Sequence, residues 1–201
     1  MPRSDALADF ITQVGIGITD AFAPGQPGHA VAHRMRHALD TVPAQPGGPA
    51  NPPCTLPLAC RHLDTALGLA RAAGPAPLRA WAEAFATVAP SLHWVRSQRR
   101  GTEAFHQGHA NTEIVGPAGL EQRSDVVLGA SLLAPGVVYP DHDHPPEEIY
   151  LVLSAGDWFN RQRGWYTPGA GGAVHHPPGI VHAMRSGTTP LLAIWCLWPG
   201  P

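Results

Sequence analysis

The sequence predicts a mainly β fold with α: a helical extension over residues 1–100 packing on a small β-barrel domain over residues 101–201. Three observations lead there. Up to about residue 100, apolar residues recur at the i, i+3, i+4, i+7 spacing of an amphipathic helix. Beyond it, short apolar or alternating runs are bounded by Gly and Pro turns, at intervals suited to a barrel or sandwich. Finally, the chain holds 22 Gly and 23 Pro but is 44% hydrophobic, which describes a turn-rich protein with a core to bury rather than a disordered one.

The elements follow in order. Ser4-Asp5-Ala6-Leu7 opens a helix whose apolar face is Leu7, Phe10, Ile11 and Val14. A second helix is expected over His29 to Val42. The stretch from Pro43 to Pro53 is rich in Pro and Gly, lacks many amide donors and reads as a loop. Leu58 to Ala73 and Ala76 to Val88 form two further helices, split by Gly74-Pro75. The strand candidates are Asp125 to Leu133, Glu148 to Leu153 and Leu191 to Trp198. No repeat of 20–50 residues is visible.

Charge narrows the function. Only 14% of residues are charged, all 13 basic residues are Arg, and the net charge is −2. No basic footprint for nucleic acid or an anionic membrane exists. No apolar run reaches the roughly 18 residues of a membrane span, and the N-terminus lacks the apolar stretch of a secretory signal. Cys54, Cys60 and Cys196 are too few and too scattered for a disulfide scaffold, so a reduced cytoplasmic chain is the expectation. A homodimer is compatible with the sequence but not demanded by it.

The 12 histidines are unevenly placed. In Tyr139-Pro-Asp-His142-Asp-His144-Pro-Pro-Glu147-Glu148-Ile-Tyr150, side chains two apart on a strand face one way, so His142 and His144 point together. Glu148 and Tyr150 likewise share a face, opposite Ile149 and Leu151. Pro145-Pro146 makes the bend between the two pairs. Two imidazoles and a carboxylate at hairpin range suit a divalent transition metal. Downstream, Pro177-Pro178-Gly179-Ile-Val-His182 supplies another His from a neighbouring strand. His175 and His176 are adjacent and so face opposite ways, and at least one is structural or exposed. Singly, each of these residues has a plainer explanation on a solvated surface; together, the spacing, turns and ligand chemistry agree.

Gly136-x5-His142-x-His144-x3-Glu148 resembles the first cupin motif, and Gly171-x5-Pro177-x-Gly179-x2-His182 resembles the second. Ala155 stands where the motif has Gly, and Ser186 where it has Asn. Both positions lie outside the ligands. Tyr139, the run from Glu148 through Tyr150, Trp158, Ala183-Met184-Arg185 and the helical extension narrow the likeness to cupin-class dimethylsulfoniopropionate (DMSP) lyases, closest to the DddQ type. The likeness reaches upstream through Asn111 to Gly119, covering about half the chain well and the first 90 residues only in texture.

The resemblance implies a double-stranded β-helix with one metal ion inside, held by His144, Glu148 and His182. His142 is a further ligand or a neighbour of the ligands, and Tyr150 lies near or on the metal. It also implies cleavage of zwitterionic DMSP to dimethyl sulfide and acrylate. That reaction is a β-elimination, so a base must take the proton next to the carboxylate. Tyr150 is the expected base, because a nearby cation favours phenolate. Tyr139 is the alternative base, or a donor orienting the carboxylate. A sulfonium without hydrogen-bond donors is held by aromatic faces. Trp158, Trp195 and Trp198 are the candidates, although Trp195 and Trp198 are three apart and only one of them faces inward. Fe(II), Zn(II), Mn(II), Co(II) and Ni(II) all suit the ligand set. A metal-dependent cupin dioxygenase acting on a small organic acid and a non-catalytic binding cupin are the competing readings.

Overall fold

The computed structural model describes residues 3–41 and 56–200; the expected loop over 43–53 and Cys54 lie outside them. Helix α1 (Asp5–Asp20) begins where the Ser4 hydroxyl accepts the Leu7 amide at 3.3 Å, with Asp5 in the first turn complementing the helix dipole. Helix α2 (His29–Asp40) follows. The third expected helix opens as a 3-10 turn over Leu58–His62 before becoming α3 (Leu63–Ala73), and α4 (Ala76–Val88) starts after Pro75. Leu7, Phe10, Ile11, Val14 and Ile18 of α1 and Leu78, Trp81, Phe85 and Val88 of α4 are buried, as the helical spacing requires.

The remaining elements are β1 (Trp94–Val95), α5 (Glu103–Gly108), β2 (His109–Val115), β3 (Val127–Leu133), β4 (Val138–His142), β5 (Glu147–Val152), β6 (Asp157–Asn160), β7 (Gly164–Tyr166), β8 (Ala173–His176), β9 (His182–Arg185) and β10 (Leu191–Trp198). The strands form a six-stranded sheet, β1-β2-β3-β10-β5-β8, and a four-stranded sheet, β4-β9-β6-β7, paired antiparallel throughout. Two antiparallel sheets are what the expected double-stranded β-helix requires. The segment expected to be wholly helical thus also supplies an edge strand, β1, and the β-region contains one short helix, α5. Neither has enough residues to leave a periodic signal.

Two-residue alternation divides the larger sheet into two faces. Ile149 and Leu151 of β5, Leu192, Ile194 and Cys196 of β10, and Leu128, Ala130 and Leu132 of β3 join α1–α4 in one continuous core. Tyr150, Val152, Leu191, Ala193 and Trp195 turn the other way and meet Tyr139, Trp158 and Met184 of the smaller sheet. Complete burial of one such side chain contributes about 1.5–3 kcal/mol, so the helices and the large sheet stabilise each other. Arg123 reinforces the joint by donating to the Ala38 and Thr41 carbonyls at 2.8 and 2.9 Å, at the end of α2. No described helix is long and apolar enough to cross a membrane.

Candidate active site

Both sheets contribute to one internal site. From the smaller sheet come Tyr139 and His142 on β4 and His182 on β9, with His142 and His182 in register. The larger sheet gives Glu148 and Tyr150 on β5 and His176 on β8, with Glu148 opposite His176. His144 lies in the bend between β4 and β5. The turn after β8 has Gly179 at φ 68°, a left-handed conformation that favours glycine, and the Gly179 amide donates to the His144 carbonyl at 2.9 Å. That bond ties the loop bearing His144 to the strand bearing His182.

His142, His144 and His182 each present a ring nitrogen within 4.8 Å of the others. Their other nitrogens are committed. Nδ1 of His142 bonds the Pro140 carbonyl at 3.0 Å, that of His144 the Pro146 carbonyl at 3.0 Å, and that of His182 the Ile180 carbonyl at 2.9 Å. A carbonyl only accepts, so each Nδ1 carries a proton and Nε2 is the ring atom left to face the site. Glu148 Oε2 lies 3.2 Å from Nε2 of both His144 and His182. The contact with His182 is close without being aligned as a hydrogen bond, and that Nε2 has no partner. Lone pairs of imidazole and carboxylate repel at this range unless a proton or a cation lies among them. The donor set, nitrogen and oxygen with no thiolate, fits a divalent transition metal.

Electrostatics agree. Burial alone would raise the Glu148 carboxyl, but the hydrogen bond with His144 and the close His182 ring outweigh it and hold the group below the usual carboxylate range. Burial would lower His144; the Glu148 carboxylate overcomes it and raises the imidazole. Burial pushes His142 down to about 3. Tyr150 is raised well above an ordinary phenol by burial and by Glu148, whose carboxylate is within hydrogen-bond reach of its hydroxyl. Burial also raises Tyr139, opposed by Arg99 and Ser97, whose side chains engage its hydroxyl.

The cavity in front of these groups measures about 110 Å³ and is lined by Arg99, Asn111, Ser131, Tyr139, His142, His144, Glu148, Tyr150, Trp195 and Leu197. It adjoins a vestibule of about 530 Å³ that shares Arg99, Asn111 and Tyr139. Pockets for drug-sized ligands span roughly 300–1,000 Å³, so the inner chamber admits only a small molecule. A larger groove of about 610 Å³ beside Phe22, Arg163 and Tyr166 has no comparable convergence of ligand atoms, and volume therefore does not mark the site.

The DMSP lyase family model matches residues 29–193. The chain belongs to the DMSP lyase family. It is accordingly a lyase. Among curated relatives, the putative DMSP lyase DddL of Cereibacter sphaeroides is 29% identical over 168 residues, 83% of this chain and 70% of that protein. The DMSP lyase DddQ of Ruegeria pomeroyi is 34% identical over 90 residues, 43% of each chain. The solved structure of DddQ from Ruegeria pomeroyi DSS-3 superposes with a TM-score of 0.69 at 19% identity, covering 97% of this chain and 92% of that one. A chain from the crystal structures of the DMSP lyases RdDddP and RnDddQII gives 0.69 at 20%, covering 96% and 92%. At such identities the superpositions speak for the fold alone.

The structure gathers Tyr139, His142, His144, Glu148, Tyr150 and Trp195 around one chamber, with His182 clustered with His142 and His144. Two of the expected aromatic contacts are placed away from the chamber lining. Trp158 is 1% exposed and packs behind Tyr150, with ring centroids 6.0 Å apart, so it supports the phenol without lining the chamber. Trp198 faces the helices beside Arg34, 5.8 Å from its ring, because an odd offset from Trp195 reverses direction along β10. Trp195 has room to turn inward because its register partner is Gly129, where a Cβ would collide with the indole.

Three residues at the chamber went unrecognised in the sequence, and strand alternation leaves a fourth, His176, undecided against His175. His176 is completely buried, stacks on His182 at 4.3 Å, has no partner for either ring nitrogen, and is pushed down to about 3 by burial. Its neighbour His175 points outward to Glu147 at 2.8 Å, as strand alternation demands. Arg99, Asn111 and Ser131 line the chamber from a loop and two strands without any motif spacing. Ser186, the departure from the cupin pattern, is structural: its hydroxyl donates to the Ala134 carbonyl at 2.6 Å and accepts the Val137 amide at 2.9 Å.

Proposed function

We propose that this enzyme cleaves DMSP to dimethyl sulfide and acrylate by β-elimination, using one divalent metal ion held by His144, Glu148 and His182, with His142 as a further ligand. The convergence of ring nitrogens of His142, His144 and His182 within 4.8 Å of one another, with the Glu148 carboxylate 3.2 Å from two of them, carries this reading. A divalent cation there supplies Lewis-acid stabilisation of charge on the substrate carboxylate and favours the phenolate of a neighbouring Tyr.

Tyr150 Oη is the base. It removes the proton from the carbon bearing the carboxylate, the electron pair forms the new C=C bond, and the bond to sulfur breaks to release neutral dimethyl sulfide. Without a cation its phenol is held protonated by burial and by Glu148, so deprotonation depends on the site being loaded. Trp158 packed against Tyr150 fixes the ring. Tyr139, linked to Ser97 and Arg99, orients the carboxylate or takes over as base. Trp195 offers an aromatic face to the sulfonium. Fe(II), Zn(II), Mn(II), Co(II) and Ni(II) are all admissible, and the reaction belongs to the reducing cytoplasm, where free Cys60 and Cys196 are at home.

Elemental analysis of purified protein tests the ligand assignment. We expect near-stoichiometric metal in the wild type and loss of metal together with activity in Glu148→Ala and His182→Ala. Unchanged metal content in those variants would contradict the assignment.

A further inference from the structure

The chamber has a second polar wall that the elimination chemistry does not yet use. Asn111 on β2 accepts two hydrogen bonds at Oδ1, from the Ser131 hydroxyl at 2.8 Å and from the Trp195 indole nitrogen at 3.0 Å. An indole N–H only donates, so this oxygen assignment is forced and the amide cannot be turned over. Its NH2 group is left with two donors and no partner among the described residues, on a side chain that lines the chamber. Arg99 reaches the same chamber from the loop after β1 and also lines the vestibule. Among the described residues it pairs with no carboxylate, unlike Arg3, Arg34, Arg36, Arg71, Arg123 and Arg185. Tyr139 lines both cavities with it, and the positive charge of Arg99 acts against protonation of His142 and His144 across the chamber.

We propose that Arg99 and Asn111 form a carboxylate-binding pair, built for the anionic end of a small zwitterionic acid and decisive for selecting acids over neutral analogues. Resting on the DMSP reading, it assigns the substrate's second carboxylate oxygen to protein donors. A guanidinium fork and an amide NH2 both donate and neither accepts, the complement of a carboxylate oxygen. The same guanidinium repels a sulfonium, so the pair also sets the direction in which the zwitterion enters. Trp195 serves twice, presenting a ring to the chamber and locking Asn111 with its N–H.

The test is isothermal titration of zinc-loaded protein with 3-(methylsulfanyl)propanoate, which has the carboxylate but no sulfonium to eliminate, and with its primary amide. Arg99→Met should weaken the acid by about ten-fold or more and leave the amide within about two-fold, with Arg99→Lys recovering part of the loss. Asn111→Asp keeps both acceptor contacts to Ser131 and Trp195 but replaces the donors with negative charge, and should weaken the acid by at least as much. Equal losses for acid and amide, unchanged acid binding in both variants, or a wild type that binds neither compound would overturn the pair. If the wild type binds the acid as described but releases no dimethyl sulfide from DMSP, the substrate assignment fails while the carboxylate pair stands.

Discussion

Lowering the pH from 7 to 5 should destabilise the metal-free protein severely. His109, His142 and His176 are each pushed from an ordinary value of 6.5 to about 3, chiefly by burial. Below pH 6.5 the unfolded chain binds a proton at each of them, while the folded state refuses it until about pH 3. Stability is therefore fully present above 6.5 and falls as pH drops through the window from 6.5 to 3. At about 1.4 kcal/mol per pH unit per group, pH 5 costs on the order of 2 kcal/mol for each imidazole and 6 for the three. His144, which is raised, works in the opposite sense, gaining stability as pH falls toward 6.5, but it is one group against three. Glu148, which is depressed, contributes a stability that is fully present above the ordinary carboxylate range and is lost only below it, so it does not change between pH 7 and 5. A domain typically has about 5–15 kcal/mol in total, so chelated protein should approach unfolding near pH 5. Urea titrations followed by circular dichroism at pH 7, 6 and 5 in the presence of chelator measure this. His109 stacks on Phe105 at 5.1 Å, away from the three-histidine cluster, so His109→Phe keeps the ring and should remove about a third of the slope. A stability that stays flat between pH 7 and 5, or an unchanged slope in His109→Phe, would refute the linkage.

Two substitutions address the chemistry. Tyr150→Phe should retain its metal and fold while losing at least about 100-fold in kcat, as expected for removal of a positioned base; substantial surviving turnover would move that role to Tyr139. Trp195→Leu should raise KM for DMSP several-fold, whereas Trp198→Leu, on the helix side of β10, should leave KM unchanged and lower only stability, by about 1–3 kcal/mol. Equal KM effects in steady-state assays of the two variants would show that β10 alternation does not decide which indole meets substrate.

The barrel was legible because its candidate ligands sit at fixed offsets along strands. His142 and His144, then Glu148 and Tyr150, obey a two-residue period, and the Pro-Pro bend between them survives as the loop joining β4 and β5. The alternation rule also separated Trp195 from Trp198 and His175 from His176, but it could not say which member faces inward. That depends on pairing partners such as Gly129 beside Trp195 and Glu148 opposite His176, which are distant in sequence. Trp158 looked like a substrate contact because aromatic type alone does not distinguish the lining of a chamber from the layer behind it. Arg99 and Asn111 lay beyond reach for a different reason: they converge through a loop and the strand next to the edge of the sheet, with neither a period nor a motif to join them. The helices were readable from their apolar faces, whereas β1 and α5 were too short to show a repeat.

The most direct trial of the whole account is headspace dimethyl sulfide from DMSP given to chelator-stripped protein under nitrogen, before and after Zn(II) is added back. We expect no release from the stripped protein and full recovery with this redox-inert ion in the absence of oxygen. Undiminished release without metal would contradict the metal-centred reading, and recovery that required oxygen would turn the enzyme into an oxidase of its substrate rather than a lyase.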